Sequence, residues 1–266
     1  MTTTGNFIWY ELMTGDTRAA GKFYGAVVGW TVADRADPQA GTQDYHMIVR
    51  SDGGFAGGVL NLSPDMQKQG AHPAWLGYLH VRNVDAATAA IEADGGRILM
   101  PKKILPVGAI AMVTDPMGTP FYVMDPVRPA GNAAAKSDVF DPAAPQRVRW
   151  NELASPDPAR AKAFYSKHFG FEFNEAMPMG PLGDYCFIDV GGLRVGAIMQ
   201  KPEHGAGAAW LFYFGVPSIA IAKTAIEKSG GRVTRAPQEV PGGDWVVVAA
   251  DPQAVPFGLV GSKGDF

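Results

Sequence analysis

Two carboxylates follow tryptophans at the same spacing, in Trp9-Tyr10-Glu11-Leu12 and again in Trp150-Asn151-Glu152-Leu153. Both segments have the alternating pattern of a strand, so the Trp and Glu of each share one face. By the same parity Leu76, Tyr78 and His80 share a face further along. A carboxylate among apolar neighbours either pairs with an arginine or a backbone N–H, or sits in a cavity where burial raises its pKa. An imidazole within reach would complete an acid/base pair able to move a proton. Aromatic side chains beside them would make a floor for a small flat organic molecule. Each residue also has a plain structural reading: Trp9 and Trp150 as core packing, Glu11 and Glu152 as locally paired groups, His80 as a solvated or satisfied histidine.

Other chemistries lack their residues. Gly53-Gly54, Gly57-Gly58 and Gly191-Gly192 stand outside the strand, GxGxxG and helix order of a dinucleotide fingerprint, and no Lys-Ser/Thr completes a phosphate loop, so they read as turns. No Gly-x-Ser-x-Gly elbow occurs, and no Ser or Cys stands in a nucleophile context. The single cysteine, Cys186, permits neither an intramolecular disulfide nor a cysteine-based zinc site and reads as buried. A net charge of -3 supplies no basic field for nucleic acid. No stretch approaches a membrane span, and Met1 to Asn6 has neither the basic nor the apolar region of a signal peptide, so a cytoplasmic location is expected.

The elements that must position these residues come in two copies. Gly29-Trp30 answers Gly170-Phe171, Tyr45-His46-Met47-Ile48 answers Tyr185-Cys186-Phe187-Ile188, and Trp75-Leu76-Gly77-Tyr78 answers Trp210-Leu211-Phe212-Tyr213. Asp115-Pro116 with Pro120-Phe121 returns as Asp251-Pro252 with Pro256-Phe257. In each copy a strand leads through an Asp N-cap, Asp16 or Asp157, into a helix that carries Phe-Tyr, and Pro158 stands where a helix tolerates proline. In the first copy the pattern predicts strands over Phe7 to Leu12, Thr31 to Ala33, Tyr45 to Arg50 and Gly57 to Leu62, with a helix over Thr17 to Val28. Strands over Leu76 to Val81, Arg97 to Met100, Ala109 to Thr114 and Phe121 to Met124 follow, with a helix from Asp85 to Ala93 ended by Gly95-Gly96. Each copy is two βαβββ units. Domains at 4–127 and 147–261 are expected, with an Ala- and Pro-rich linker at 128–146.

That order, with its Phe-Tyr, Gly-Gly and Asp-Pro-x-Gly-x-Pro-Phe motifs, resembles the vicinal oxygen chelate superfamily of glyoxalases, bleomycin-resistance proteins and extradiol dioxygenases. It is most similar to the tandem two-domain glyoxalase-like subgroup, whose opening strand carries Trp-x-Glu-Leu. The resemblance implies an α+β fold of two tandem domains, each two βαβββ modules forming a curved eight-stranded mixed sheet with helices outside. It also implies a cleft that often holds a divalent metal, yet its ligand positions fall on Trp9, Leu76 and Tyr122 and on Trp150, Leu211 and Gly258. Indole, alkyl and phenol groups do not build such a site, so no metal and no cofactor is expected. If the cleft face is preserved, the first domain gathers Trp9, Glu11, Tyr78, His80 and Tyr122, and the second Trp150, Glu152 and Tyr213. His46 is left on either face. Two functions follow: a protein that sequesters a small planar compound, or a glyoxalase-like isomerase or lyase with Glu11 or His80 as acid/base, with or without a displaced metal. A protein-interaction module is a third. The first cleft, richer in polar groups, is expected to be the working one, and the chain a monomer or homodimer.

Overall fold

The computed structural model describes residues 5–41, 43–127, 136–203 and 208–265. Among these, the first copy forms β1 (Phe7–Thr14), α1 (Thr17–Val28), β2 (Thr31–Val32), β3 (Tyr45–Val49), β4 (Phe55–Asn61), α2 (Pro64–Lys68), β5 (Ala74–His80), α3 (Val84–Ala93), β6 (Arg97–Leu105), β7 (Gly108–Thr114) and β8 (Pro120–Pro126). The second forms β9 (Val148–Ser155), α4 (Pro158–Phe169), β10 (Ala176–Pro178), β11 (Asp184–Val190), β12 (Leu193–Gln200), β13 (Ala209–Ser218), α5 (Ile219–Lys228), β14 (Arg232–Glu239), β15 (Trp245–Ala250) and β16 (Pro256–Ser262). Each copy makes an eight-stranded mixed sheet, in the orders β2-β3-β4-β1-β5-β8-β7-β6 and β10-β11-β12-β9-β13-β16-β15-β14. This is the expected α+β fold. Strand β6 runs on to Leu105, beyond the expected Met100, and α2 was not expected at all.

Local chemistry explains the helix boundaries. Asp16 and Asp157 accept from Ala19 N and Arg160 N at 2.8 and 2.9 Å, satisfying N–H groups that have no partner within the helix. Gly29 and Gly170 end α1 and α4 in the left-handed region, at φ 84° and 67°.

Close contacts group the chain differently from its repeat. One unit joins Met1–Trp9, Leu76–Ser137 and Trp150–Trp210; the other joins Tyr10–Trp75, Asp138–Arg149 and Leu211–Phe266. In the first unit Phe121 packs against Phe164, Tyr165 and Phe169 of α4, and Phe7 against Phe171 and Trp210. The buried hydroxyl of Tyr165 accepts from Trp210 Nε1 at 3.1 Å and reaches Asp115 Oδ2 at 3.3 Å. In the second unit Tyr24 of α1 repeats the arrangement, accepting from Trp75 Nε1 at 2.8 Å and reaching Asp251 Oδ2 at 3.2 Å. The Phe-Tyr and Asp-Pro motifs are thus bonded partners, and each tyrosine finds the aspartate of the other copy. Burial pushes Asp115 and Asp251 above the usual carboxylate range, although backbone N–H groups of their own turns pull the other way.

Of the expected linker, 128–135 lies outside the described residues. The rest is bonded into its surroundings. Asp138 Oδ2 accepts from the buried Arg50 Nη2 at 2.6 Å. Gln146, held at φ 59°, accepts from Trp30 Nε1 through its carbonyl at 2.9 Å and from Ser51 N through its side chain at 2.8 Å.

Candidate functional site

In the first unit, β9 brings Trp150 and Glu152 to one face. Strand register places Phe187 of β11 beside Ala197 of β12 and Ala197 beside Glu152, so Phe187 and its parity partner Tyr185 share that face. Trp150 Nε1 donates to Tyr185 Oη at 2.8 Å, and Tyr185 Oη donates to Glu152 Oε2 at 2.7 Å. The direction is fixed by chemistry, because an indole N–H can only donate, so the one phenolic proton goes to the carboxylate. Trp150 and Tyr185 lie parallel within 5°, and Phe187 stands edge-on to both with centroids 6.1 and 5.8 Å away. Arg194 lies 4.4 Å over the Phe187 ring, held by Asp189 at 3.0 Å and Glu175 at 2.9 Å. Glu152 itself is only 8% exposed, while the three aromatic residues are half-buried.

The same unit holds Trp9, Tyr78, His80 and Tyr122. Tyr78 and Tyr122 are register partners whose rings stack at 17° with centroids 4.2 Å apart. They face away from α4, since the neighbouring Phe121 points into the helix-side core. His80, two residues on, pairs in register with Met124 and is half-buried. Trp9 is half-buried as well, and strict alternation breaks near it, because Phe7 and Tyr10 both point into cores.

The second unit holds Glu11 and Tyr213. Glu11 is 2% exposed, and its register partner is Gly58. A Cβ at Gly58 would run into the Tyr45 hydroxyl, so the absence of a side chain lets Tyr45 lie over that position. Tyr213 lies over Gly258 in the same manner, where the first copy has Tyr122. His46 is assigned: it pairs in register with Val59, one step from the Gly58 row, which puts it on the face opposite Glu11. There its Nδ1 meets Ala33 O at 2.7 Å and its Nε2 meets Asp44 Oδ1 at 2.8 Å.

Residue types at the expected metal-ligand positions do not fit a divalent ion. Trp150 gives its one polar hydrogen to Tyr185, Gly258 has no donor atom, and Tyr122 is stacked in the buried pair. Among the described residues no three His, Cys, Asp or Glu side chains stand close enough to hold an ion. Sequence reasoning missed Tyr185. Its signal was present, since Trp-x-Glu and the later Tyr recur in both copies, as Trp9, Glu11 and Tyr45 and as Trp150, Glu152 and Tyr185.

Two eight-stranded mixed sheets, each built from two βαβββ units, define a tandem vicinal-oxygen-chelate protein. The chain belongs to the Glyoxalase/Bleomycin resistance protein/Dioxygenase superfamily, whose sequence model matches residues 6–123 and again 147–258. It is 28% identical over 253 residues to the protein named "Putative glyoxylase CFP32" of Mycobacterium tuberculosis, covering 95% of this chain and 93% of that one. It is also 28% identical over 265 residues to the anthracycline biosynthesis protein DnrV of Streptomyces peucetius, covering 95% and 91%. Among solved structures, the Mn(II)-bound glyoxalase from Novosphingobium aromaticivorans shares the fold, with a TM-score of 0.63 at 16% identity, over 98% of this chain and 83% of the other.

Proposed function

We propose that the chain binds a small planar organic ligand on the aromatic faces of its sheets, and that it does so without the divalent metal of its metal-binding relatives. The observation that carries this reading is the fate of Trp150. At a position where a ligand to metal would stand, its indole is the first donor of a chain that ends on a buried carboxylate. The Tyr78–Tyr122 stack supplies a second flat apolar surface. Similarity to proteins named for anthracycline biosynthesis supports the reading, because anthracyclines are themselves fused, flat ring systems.

Ligand recognition in the first unit is assigned to Trp150, Glu152 and the added Tyr185 and to Trp9, Tyr78, His80 and Tyr122, and in the second unit to Glu11 and Tyr213. A second reading, proton transfer by Glu11 or His80 in an isomerase or lyase, is favoured by the near-complete burial of the Glu11 carboxyl. Metal analysis and native mass spectrometry of untagged protein test the proposal together. A planar organic mass with less than stoichiometric metal is expected. One ion per chain that survives chelation would sink it and promote the enzyme.

A further inference from the structure

The stacked tyrosines of the first unit belong to a sheet face whose charge follows from strand register. Tyr122 of β8 pairs with Met112 of β7. One row along, His80 of β5 pairs with Met124 of β8, Met124 with Ile110 of β7, and Ile110 with Lys103 of β6. Register partners share a face, as do residues two apart on one strand, so the Lys103 row lies beside the tyrosine row. Lys102 gives the same sidedness from the opposite direction. It is bonded to Asp85 of α3, on the helix side, and its neighbour Lys103 therefore points the other way.

The middle of this face is flat and adaptable. Tyr78 and Tyr122 stack with centroids 4.2 Å apart, and the half-buried Met112 and Met124 are unbranched thioethers that mould themselves to an aromatic edge. Its rim is cationic. Lys103 is exposed and, among the described residues, has no carboxylate partner, Asp85 being engaged by Lys102. Neither row contains a carboxylate. Asp125 directly follows Met124, but it pairs with Ala109, which pairs with Ile104, on the opposite face. Building on the planar-ligand reading above, we infer that this face takes a flat organic acid, with its rings on Tyr122 and Met112 and its carboxylate at Lys103. Tyr122 and Lys103 stand two strands apart, about 10 Å sideways, and the lysine stem covers part of that span, so a body of two fused rings reaches the ammonium. A cationic ligand would be repelled there, and a neutral one would gain the ring contacts alone.

Naphthoate, naphthylmethanol and naphthylmethylamine, substituted at the same ring carbon, differ in charge and provide the test when titrated calorimetrically into the full chain at pH 7. Naphthoate should bind at least about threefold more tightly than the alcohol, with the amine weakest, and added salt should narrow the preference because the ion pair is exposed. Lys103→Met keeps the apolar stem at an exposed position and should abolish the preference without weakening the alcohol; Lys103→Glu should reverse the order. Carbon-13 labelling of the methionine methyl groups gives the location, since the ring current of bound naphthoate should shift the signals of Met112 and Met124, assigned through Met112→Leu and Met124→Leu. Equal affinity for the three compounds, or an anion preference that persists in Lys103→Met, overturns the charge assignment and leaves the planar-ligand reading standing. Binding that moves neither methyl signal overturns the placement on this face. No binding of any of the three by the parent chain overturns both this inference and the reading on which it rests.

Discussion

Replacing Tyr165 by Phe isolates one hydroxyl in a core with no exposure to solvent. The ring space stays filled, so no cavity term enters. What goes is the acceptor for Trp210 Nε1 at 3.1 Å and the donor to Asp115 Oδ2 at 3.3 Å. Orphaned buried polar groups cost about 1–3 kcal/mol. Unfolding entropy of about 2.1 cal/mol/K per residue gives roughly 0.6 kcal/mol/K for 266 residues, so Tm should fall by about 2–5 °C. Tyr24→Phe removes the matching hydroxyl between Trp75 and Asp251 and should cost the same. The two sites share no partner, so the double variant should lose the sum, about 4–10 °C. The deficit also depends on pH. Burial raises Asp115, so its favourable contribution to folding is complete below the unfolded carboxylate pKa near 3.9 and is lost as pH rises through the higher folded value. Tyr165 helps to hold that folded value down, so the variant's deficit should be larger at pH 7.5 than at pH 4.5. Differential scanning calorimetry at both pH values measures it. A Tm within half a degree of the parent for either single variant, or a deficit that grows on acidification, would refute the reasoning.

Asp52 behaves in the opposite sense. The Gly54 N–H, followed by Arg50 and Arg147, holds its carboxyl down at about 2, so its contribution is present above the unfolded pKa and is lost as pH falls from about 4 towards 2. Asp52→Asn should lower Tm at neutral pH and flatten that part of the acid limb, read as Tm against pH. Gly258→Ala puts a methyl group into the ring of Tyr213, and overpacking of that kind costs about 1–3 kcal/mol, visible as a lowered urea midpoint with unchanged slope. An unaltered midpoint would mean that Tyr213 swings aside freely. If a planar ligand is identified, Glu11→Gln should weaken its binding in the second unit and His80→Ala its binding in the first, each by about tenfold in calorimetric titration; unchanged affinity in His80→Ala would remove that histidine from the site.

Much of the fold was legible because its signals are local. Asp16, Asp157 and Pro158 mark helix starts through side-chain capping and a missing N–H, and strand alternation carries from residue to residue. The doubling of every motif then fixed the two sheets. What could not be read was pairing at a distance: that the Tyr of one Phe-Tyr belongs to the Asp of the other copy depends on how α1 and α4 pack, not on any spacing. The site was legible in part for the same reason. Parity selected Trp150 and Glu152, and Tyr78 with His80, but Tyr185 joins them only through two neighbouring strand registers. His46 was undecided until its row beside Val59 was known.

The crossed tyrosine and aspartate pairs also set how the two repeats can diverge. A substitution at Asp115 is felt by Tyr165, and one at Asp251 by Tyr24, so the helix-side cores of the duplicates must be inherited as one set. The opposite faces differ between the duplicates. There Tyr122 in one duplicate answers Gly258 in the other, and His80 answers Gly215, with both sheets intact. A duplicated gene of this shape keeps a common interior while its two outward chemistries drift apart, which lets a single chain acquire a second specificity without a second fold.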